Sequence, residues 1–124
     1  MSESTRTART ERINGIEMYC ELQGEGEPLL LLHGFTGSGA DWGLIFPTPP
    51  EGYRLVIPDL RGHGRSTNPS AEFTFRQSAL DVIALLDRLR IEHCQAIGLS
   101  AGAETLLHMR PLGLCKRAIP HAKM

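Results

Sequence analysis

Residues 95–109 read QAIGLSAGAETLLHM, and three local preferences follow one another within them. Gln95 to Leu99 is short and mostly apolar, as a buried strand is. Gly102 to Met109 is built largely of good helix formers. Between them, Gly98-Leu99-Ser100-Ala101-Gly102 matches G-x-S-x-G. A strand that runs straight into a serine and then into a helix needs a sharp, strained turn. Glycines two before and two after the serine let backbone and helix approach closely. The turn lifts the Ser100 hydroxyl clear of the sheet and sets it by the positive end of a helix. Ser100 is thus the candidate nucleophile, with Gly98 and Gly102 shaping the elbow. The plainer alternative is a tight turn with Ser100 as an ordinary N-cap.

Upstream, Leu29 to Leu32 is an apolar run without alternation, the pattern of a strand covered on both faces. It stops at His33-Gly34-Phe35-Thr36-Gly37-Ser38, a glycine-rich loop whose backbone N–H groups are free to face a ligand. Acyl transfer needs two such donors where the carbonyl oxygen gains charge, and the N–H groups of Phe35 and Ala101 form the natural pair. His33 by itself reads as a structural, hydrogen-bonding histidine. Ile16 to Leu22 and Tyr53 to Ile57 read as further strands, Ala40 to Phe46 as a short helix ended by prolines, and Phe73 to Arg90 as the clearest helix. In that helix Ala79, Val82, Ile83, Leu86 and Leu89 form one stripe, with Asp81, Arg88 and Arg90 mainly off it. Asp59-Leu60-Arg61-Gly62-His63-Gly64-Arg65-Ser66 reads as a tight, internally bonded loop. A metal at Asp59 and His63 is the weaker reading, because no second ligand cluster supports it. Strands alternating with helices predict an α/β fold on a mainly parallel sheet.

HGFTGS, DLRGHGRS and GLSAG, in that order, resemble the N-terminal half of an α/β-hydrolase-fold protein, over about Ile16 to Met109. The resemblance implies an incomplete α/β-hydrolase fold with its C-terminal half missing. It implies Ser100 as nucleophile, an oxyanion hole from the Phe35 and Ala101 N–H groups, and loop geometry set by Gly34. It also implies a serine esterase or related hydrolase of small ester-type substrates, with no cofactor and no metal. A serine at position 100 argues against the aspartate-nucleophile branches, the haloalkane dehalogenases and epoxide hydrolases. Perhydrolase and non-haem haloperoxidase relatives share the serine machinery and stay open.

A serine hydroxyl needs a base, and the base an orienting carboxylate. In this family the acid and then the histidine follow the serine. After Ser100 stand only Glu104, His108 and His121. On a continuous helix His108 lies about 12 Å along the axis from Ser100. Glu104 and His108, four apart, read as a surface helix pair. No residue of this chain is assigned as triad acid or base. Arg110 to Met124 loses the α/β pattern abruptly, as a frameshift or gene-model error produces. The expected organisation is a flexible tail over residues 1–12, the N-terminal part of one domain over 13–109, and a non-matching tail over 110–124. Two readings compete with the hydrolase: a non-catalytic remnant or binding module, and half of a split enzyme completed by a C-terminal chain.

The whole sequence has 124 residues, 41% hydrophobic and 22% charged, with 13 Lys+Arg against 14 Asp+Glu for a net charge of -1. That fits one domain and offers no basic excess for nucleic acid. No apolar run approaches the ~20 residues of a membrane span, and no secretory signal opens the chain. The 3 cysteines are odd in number and far apart, which suits a reducing, cytoplasmic location.

Overall fold

The computed structural model describes residues 6–110 and the backbone of residues 122–123. The strands are β1 (Arg6–Ile13), β2 (Ile16–Gly24), β3 (Glu27–Leu32), β4 (Tyr53–Pro58), β5 (Gln95–Leu99) and β6 (Ala122–Lys123). They form one mixed sheet in the order β1-β2-β4-β3-β5-β6. β1 and β2 are an antiparallel hairpin, β2 joins β4 antiparallel, and β4, β3, β5 and β6 run parallel. The helices are α1 (Phe75–Arg88) and α2 (Ala101–Met109), with a 3-10 helix over Gly39–Leu44.

The apolar run of β3 sits in the middle, with Leu30, Leu31 and Leu32 at 0% exposure. Its alternate side chains serve two cores. Leu30 and Leu32 face α1 and α2 in a cluster with Val56, Val82, Leu86, Ala96 and Leu106. Leu29 and Leu31 face Trp42, Leu55 and Ile57 on the other side. Chain direction explains which element covers which face. From β4 to β5, and onward past β5, the chain moves toward one edge, so right-handed connections put α1 and α2 on the same face. From β3 to β4 it moves the other way, and the 3-10 helix falls on the opposite face.

Several expectations need correction. Residues 6–12, expected as solvated tail, are β1. Asn14 and Gly15, at φ 49° and 82°, make the two-residue turn that folds it back onto β2. β1 is exposed along most of its length and carries Arg6, Arg9, Glu11 and Arg12. Arg12 pairs with Glu17 directly across the ladder at 2.7 Å. A charged strand of this kind protects a sheet edge from further pairing. Helix α1 is shorter than Phe73 to Arg90: the Thr74 hydroxyl caps it by accepting from the Gln77 N–H, and Arg90 at φ 60° lies beyond its end. The short helix at Ala40 to Phe46 is 3-10 in form and starts one residue earlier. β5, expected to have no further neighbour, pairs with β6 at Gly98↔Ala122 and Leu99↔Lys123. Residues 111–121 and 124 of the non-matching tail, His121 included, lie outside the described residues.

Candidate active site

Three loops meet at the C-terminal ends of the parallel strands. The elbow comes first. Ser100 lies between β5 and α2 at φ 50°, ψ -108°, a conformation that L side chains rarely adopt. Its side chain makes no capping hydrogen bond to α2. The ordinary N-cap alternative therefore fails, and the hydroxyl of this exposed residue is not spent on the helix. Gly98 and Gly102 are required by contact. A Cβ on Gly98 would lie 2.5 Å from the Ala103 nitrogen, and one on Gly102 would drive into the Leu32 carbonyl. α2 thereby docks onto β3 with backbone touching backbone.

The loop after β3 lies against this elbow: a Cβ built on Gly34 would be 3.6 Å from Ser100 Cβ. His33, fully buried, fixes the loop. Its Nε2 lies 3.0 Å from the Leu60 N–H, and a backbone N–H can only donate. Nε2 is therefore the acceptor, and the ring proton sits on Nδ1, which donates to the Gly34 carbonyl at 2.6 Å. The Gly37 N–H donates to the same carbonyl at 3.2 Å. In a trans peptide C=O and N–H point opposite ways. Holding the Gly34 carbonyl toward His33 and Gly37 turns the Phe35 N–H away from both. Burial pushes the His33 pKa below the ordinary histidine value, opposed in part by the Gly34 hydrogen bond. His33 is a neutral brace between two loops.

The Phe35 ring, half exposed, packs against His63, Phe73 and Phe75 at 5.7, 5.1 and 5.7 Å between centroids. His63 also meets His33 at 5.0 Å and is tied to its own loop through the Arg61 carbonyl, 2.9 Å from Nδ1. The loop after β4 is internally bonded throughout. Asp59 accepts from the Gly39 N–H at 2.7 Å with one oxygen and from the Arg65 N–H at 2.9 Å with the other. It so joins the start of the 3-10 helix to the 59–66 loop. Ser38 caps that helix reciprocally with Asp41. These bonds engage both Asp59 carboxylate oxygens and His63 Nδ1 in holding the loop. Among the described residues no cluster of three or more His, Cys, Asp or Glu is placed to hold a metal.

Sequence reasoning missed the anchor of this loop. Arg61 reaches Asp81 of α1 with Nε at 2.8 Å and Nη2 at 2.9 Å, and the Asp81 side chain is 0% exposed. Asp81 also accepts from Asn14 and Gln77, each at 3.0 Å. The β1–β2 turn, the loop and α1 are locked at one point. Asp81, expected mainly off the apolar stripe, is fully buried; its place next to Val82 of that stripe and one turn after Gln77 is the only signal the sequence carries.

The triad partners are not assembled here. Among the described residues no histidine hydrogen bonds Ser100. His108 and Glu104 are both exposed, and His108 Nδ1 lies 2.9 Å from the Glu104 carbonyl oxygen rather than its carboxylate. On Cys20, burial drives the thiol pKa up to about 12, leaving it inert. No helix among the described residues is long and apolar enough to cross a membrane.

The sheet order, the elbow and the two glycine-rich loops define a hydrolase scaffold of the α/β type. The family profile for the alpha/beta hydrolase fold matches residues 27–110, and the chain belongs to that family. It is 38% identical over 86 residues to a soluble epoxide hydrolase of Corynebacterium sp. (strain C12), covering 69% of this chain and 30% of that protein. It is 33% identical over 98 residues to a fluoroacetate dehalogenase of Burkholderia sp., covering 75% and 32%. Among solved structures, epoxide hydrolase from Vigna radiata superposes with a TM-score of 0.83 at 30% identity, over 97% of this chain and 39% of that one. The chain spans about a third of the length of these relatives. Names that the serine had set apart, epoxide hydrolase and dehalogenase, are thus among its relatives.

Proposed function

We propose that this chain carries the nucleophile and oxyanion-hole half of a serine hydrolase acting on small esters. The observation that carries the reading is Ser100 at φ 50°, ψ -108°, with a hydroxyl not used as a cap. Strain at an exposed serine between strand and helix is a cost that a plain turn has no reason to keep. Ala101, first residue of α2, has an N–H with no intrahelical acceptor. It and the Phe35 N–H are the donors for the oxyanion. Gly34, Gly98 and Gly102 hold the backbones close enough for both to serve one site.

The chemistry of the nucleophile selects the substrate class. Ser100 Oγ attacking an ester carbonyl expels the alcohol and leaves an acyl-serine, itself an ester that water can cleave. Ser100 Oγ opening an epoxide would leave an ether, with no carbonyl for water to attack. Esters therefore fit Ser100 better than the substrates in the relatives' names. A base must take the serine proton, and an acid must orient the base. We assign neither to this chain, so a C-terminal part, in the same gene or in a separate chain, must supply them. Alone, the chain is expected to turn over p-nitrophenyl acetate little faster than buffer.

The test is a fluorophosphonate probe on the protein completed with acid and base. Label on Ser100, lost together with esterase turnover in Ser100→Ala, supports the reading. Full labelling and turnover in Ser100→Ala refute it. Translating the DNA after codon 109 in all three frames shows whether an acid after a strand and a late histidine are encoded there.

A further inference from the structure

Asn14 and Asn68 are the two asparagines of the chain, and the residue after each sets its chemistry. Asn68 precedes Pro69, whose ring nitrogen carries no hydrogen. Asn14 precedes Gly15, whose nitrogen has a proton to lose and no side chain to shield it. Both turn residues are exposed, and a Cβ built on Gly15 would meet nothing within 4 Å, so water reaches this peptide bond. The same asparagine is wired into the buried anchor. Its Nδ2 donates to Asp81 Oδ1 at 3.0 Å, and its carbonyl accepts from Arg61 Nη2 at 3.1 Å. That Asp81 oxygen also accepts from Arg61 Nη2 at 2.9 Å and from Gln77 Nε2 at 3.0 Å. Position 14 therefore faces a fully buried carboxylate as a donor, a role that an amide fills and an ionised carboxylate cannot. The turn also sets the β1–β2 register, and β1, exposed along most of its length, buries little that would hold it without the turn.

We propose that Asn14-Gly15 is a site of spontaneous deamidation, and that its conversion loosens both β1 and the Arg61–Asp81 anchor of the 59–66 loop. The Gly15 nitrogen, after giving its proton to solvent, attacks Asn14 Cγ. The Cγ–Nδ2 bond breaks, and Nδ2 takes up a proton and leaves as ammonia. Water then opens the cyclic imide at either carbonyl. Opening at Cγ leaves aspartate; opening at the main-chain carbonyl leaves isoaspartate, with the backbone routed through the former side chain. One water enters and one ammonia leaves. Each product has a carboxylate in place of the amide, and two carboxylates sharing one site oppose each other's ionisation. Isoaspartate also lengthens the backbone of a two-residue turn whose φ angles, 49° and 82°, fit a tight hairpin. The inference is independent of Ser100 and of any missing C-terminal part.

The test incubates the full 124-residue chain in mildly alkaline buffer and follows its tryptic peptides by mass spectrometry, the one beginning at Ile13 being the readout. Isoaspartate is counted by enzymatic carboxyl methylation from labelled S-adenosylmethionine. Position 14 should convert while Asn68 stays an amide. In the converted chain, hydrogen exchange along the β1–β2 ladder should speed up by at least about tenfold, the equivalent of about one pKa unit of repulsion. Asn14→Asp brings in the carboxylate while keeping a dipeptide that suits the turn, and should speed the same amides by a similar factor. Asn14→Gly removes the donor without adding charge and should speed them less. No conversion at position 14 by the time a free peptide of residues 12–17 has fully converted overturns the proposal. So does a converted chain whose β1 amides exchange as before, or an Asn14→Asp chain that exchanges no faster than Asn14→Gly.

Discussion

Replacing Ser100 by glycine should stabilise the fold while removing the nucleophile. At φ 50°, ψ -108° the Cβ is the source of strain, and a residue held in such a region costs about 1–3 kcal/mol. Glycine relieves that strain but gives up about 0.5–1 kcal/mol of chain entropy. The net gain is about 1 kcal/mol. Ser100→Ala keeps the Cβ and loses only a hydroxyl without a capping bond, so it should lie within about 0.5 kcal/mol of the parent. Urea unfolding followed by fluorescence reports this cleanly, because Trp42 is the single tryptophan and is buried. With a slope of about 1–2 kcal/mol/M, Ser100→Gly should raise the midpoint by about 0.5–1 M, and Ser100→Ala should hardly move it. A glycine variant no more stable than the alanine variant would show that the elbow is not strained. The structural argument for a functional serine would fall with it.

Three further outcomes follow from the same coordinates. Asp81→Ala leaves the Arg61 guanidinium buried without its carboxylate, and should cost about 3–5 kcal/mol in the same urea assay; a loss below 1 kcal/mol would show that Arg61 finds solvent. Gly102→Ala pushes a methyl into the Leu32 carbonyl, so α2 must lift from β3; hydrogen exchange in β3 and α2 should accelerate, and unchanged protection would refute the close docking. The His33 pKa is lowered by burial, so below about pH 6.5 the unfolded chain binds a proton that the folded chain refuses. Stability should therefore fall as pH drops from 7 toward 5, by at most about 1.4 kcal/mol per pH unit from this group. The slope should shrink in His33→Gln, and an equal slope in both proteins would sink the assignment.

Local order was legible wherever a short-range rule acts alone. The Leu29 to Leu32 run, short and bounded by turn residues, reads as a strand covered on both faces. The spacing of Gly98, Ser100 and Gly102 encodes a strand–turn–helix, because only glycine clears the backbone contacts at each end. Asn14-Gly15 was an equally local signal of a hairpin turn, yet the charge of Arg6 to Arg12 hid the strand before it. An edge strand buries little and so shows no apolar pattern. Other features were decided by tertiary structure, since they join residues far apart in the chain. The Arg61–Asp81 pair spans 20 positions, and the His33–Leu60 bond 27. No periodicity records that a carboxylate in α1 will meet a guanidinium from a loop. Nor does it record that His33 will carry its proton on Nδ1, which follows only from the donor that packing sets against Nε2. The sequence named the serine and the glycines around it. Packing alone turned the Gly34–Phe35 peptide and left the Ser100 hydroxyl without a capping bond to α2.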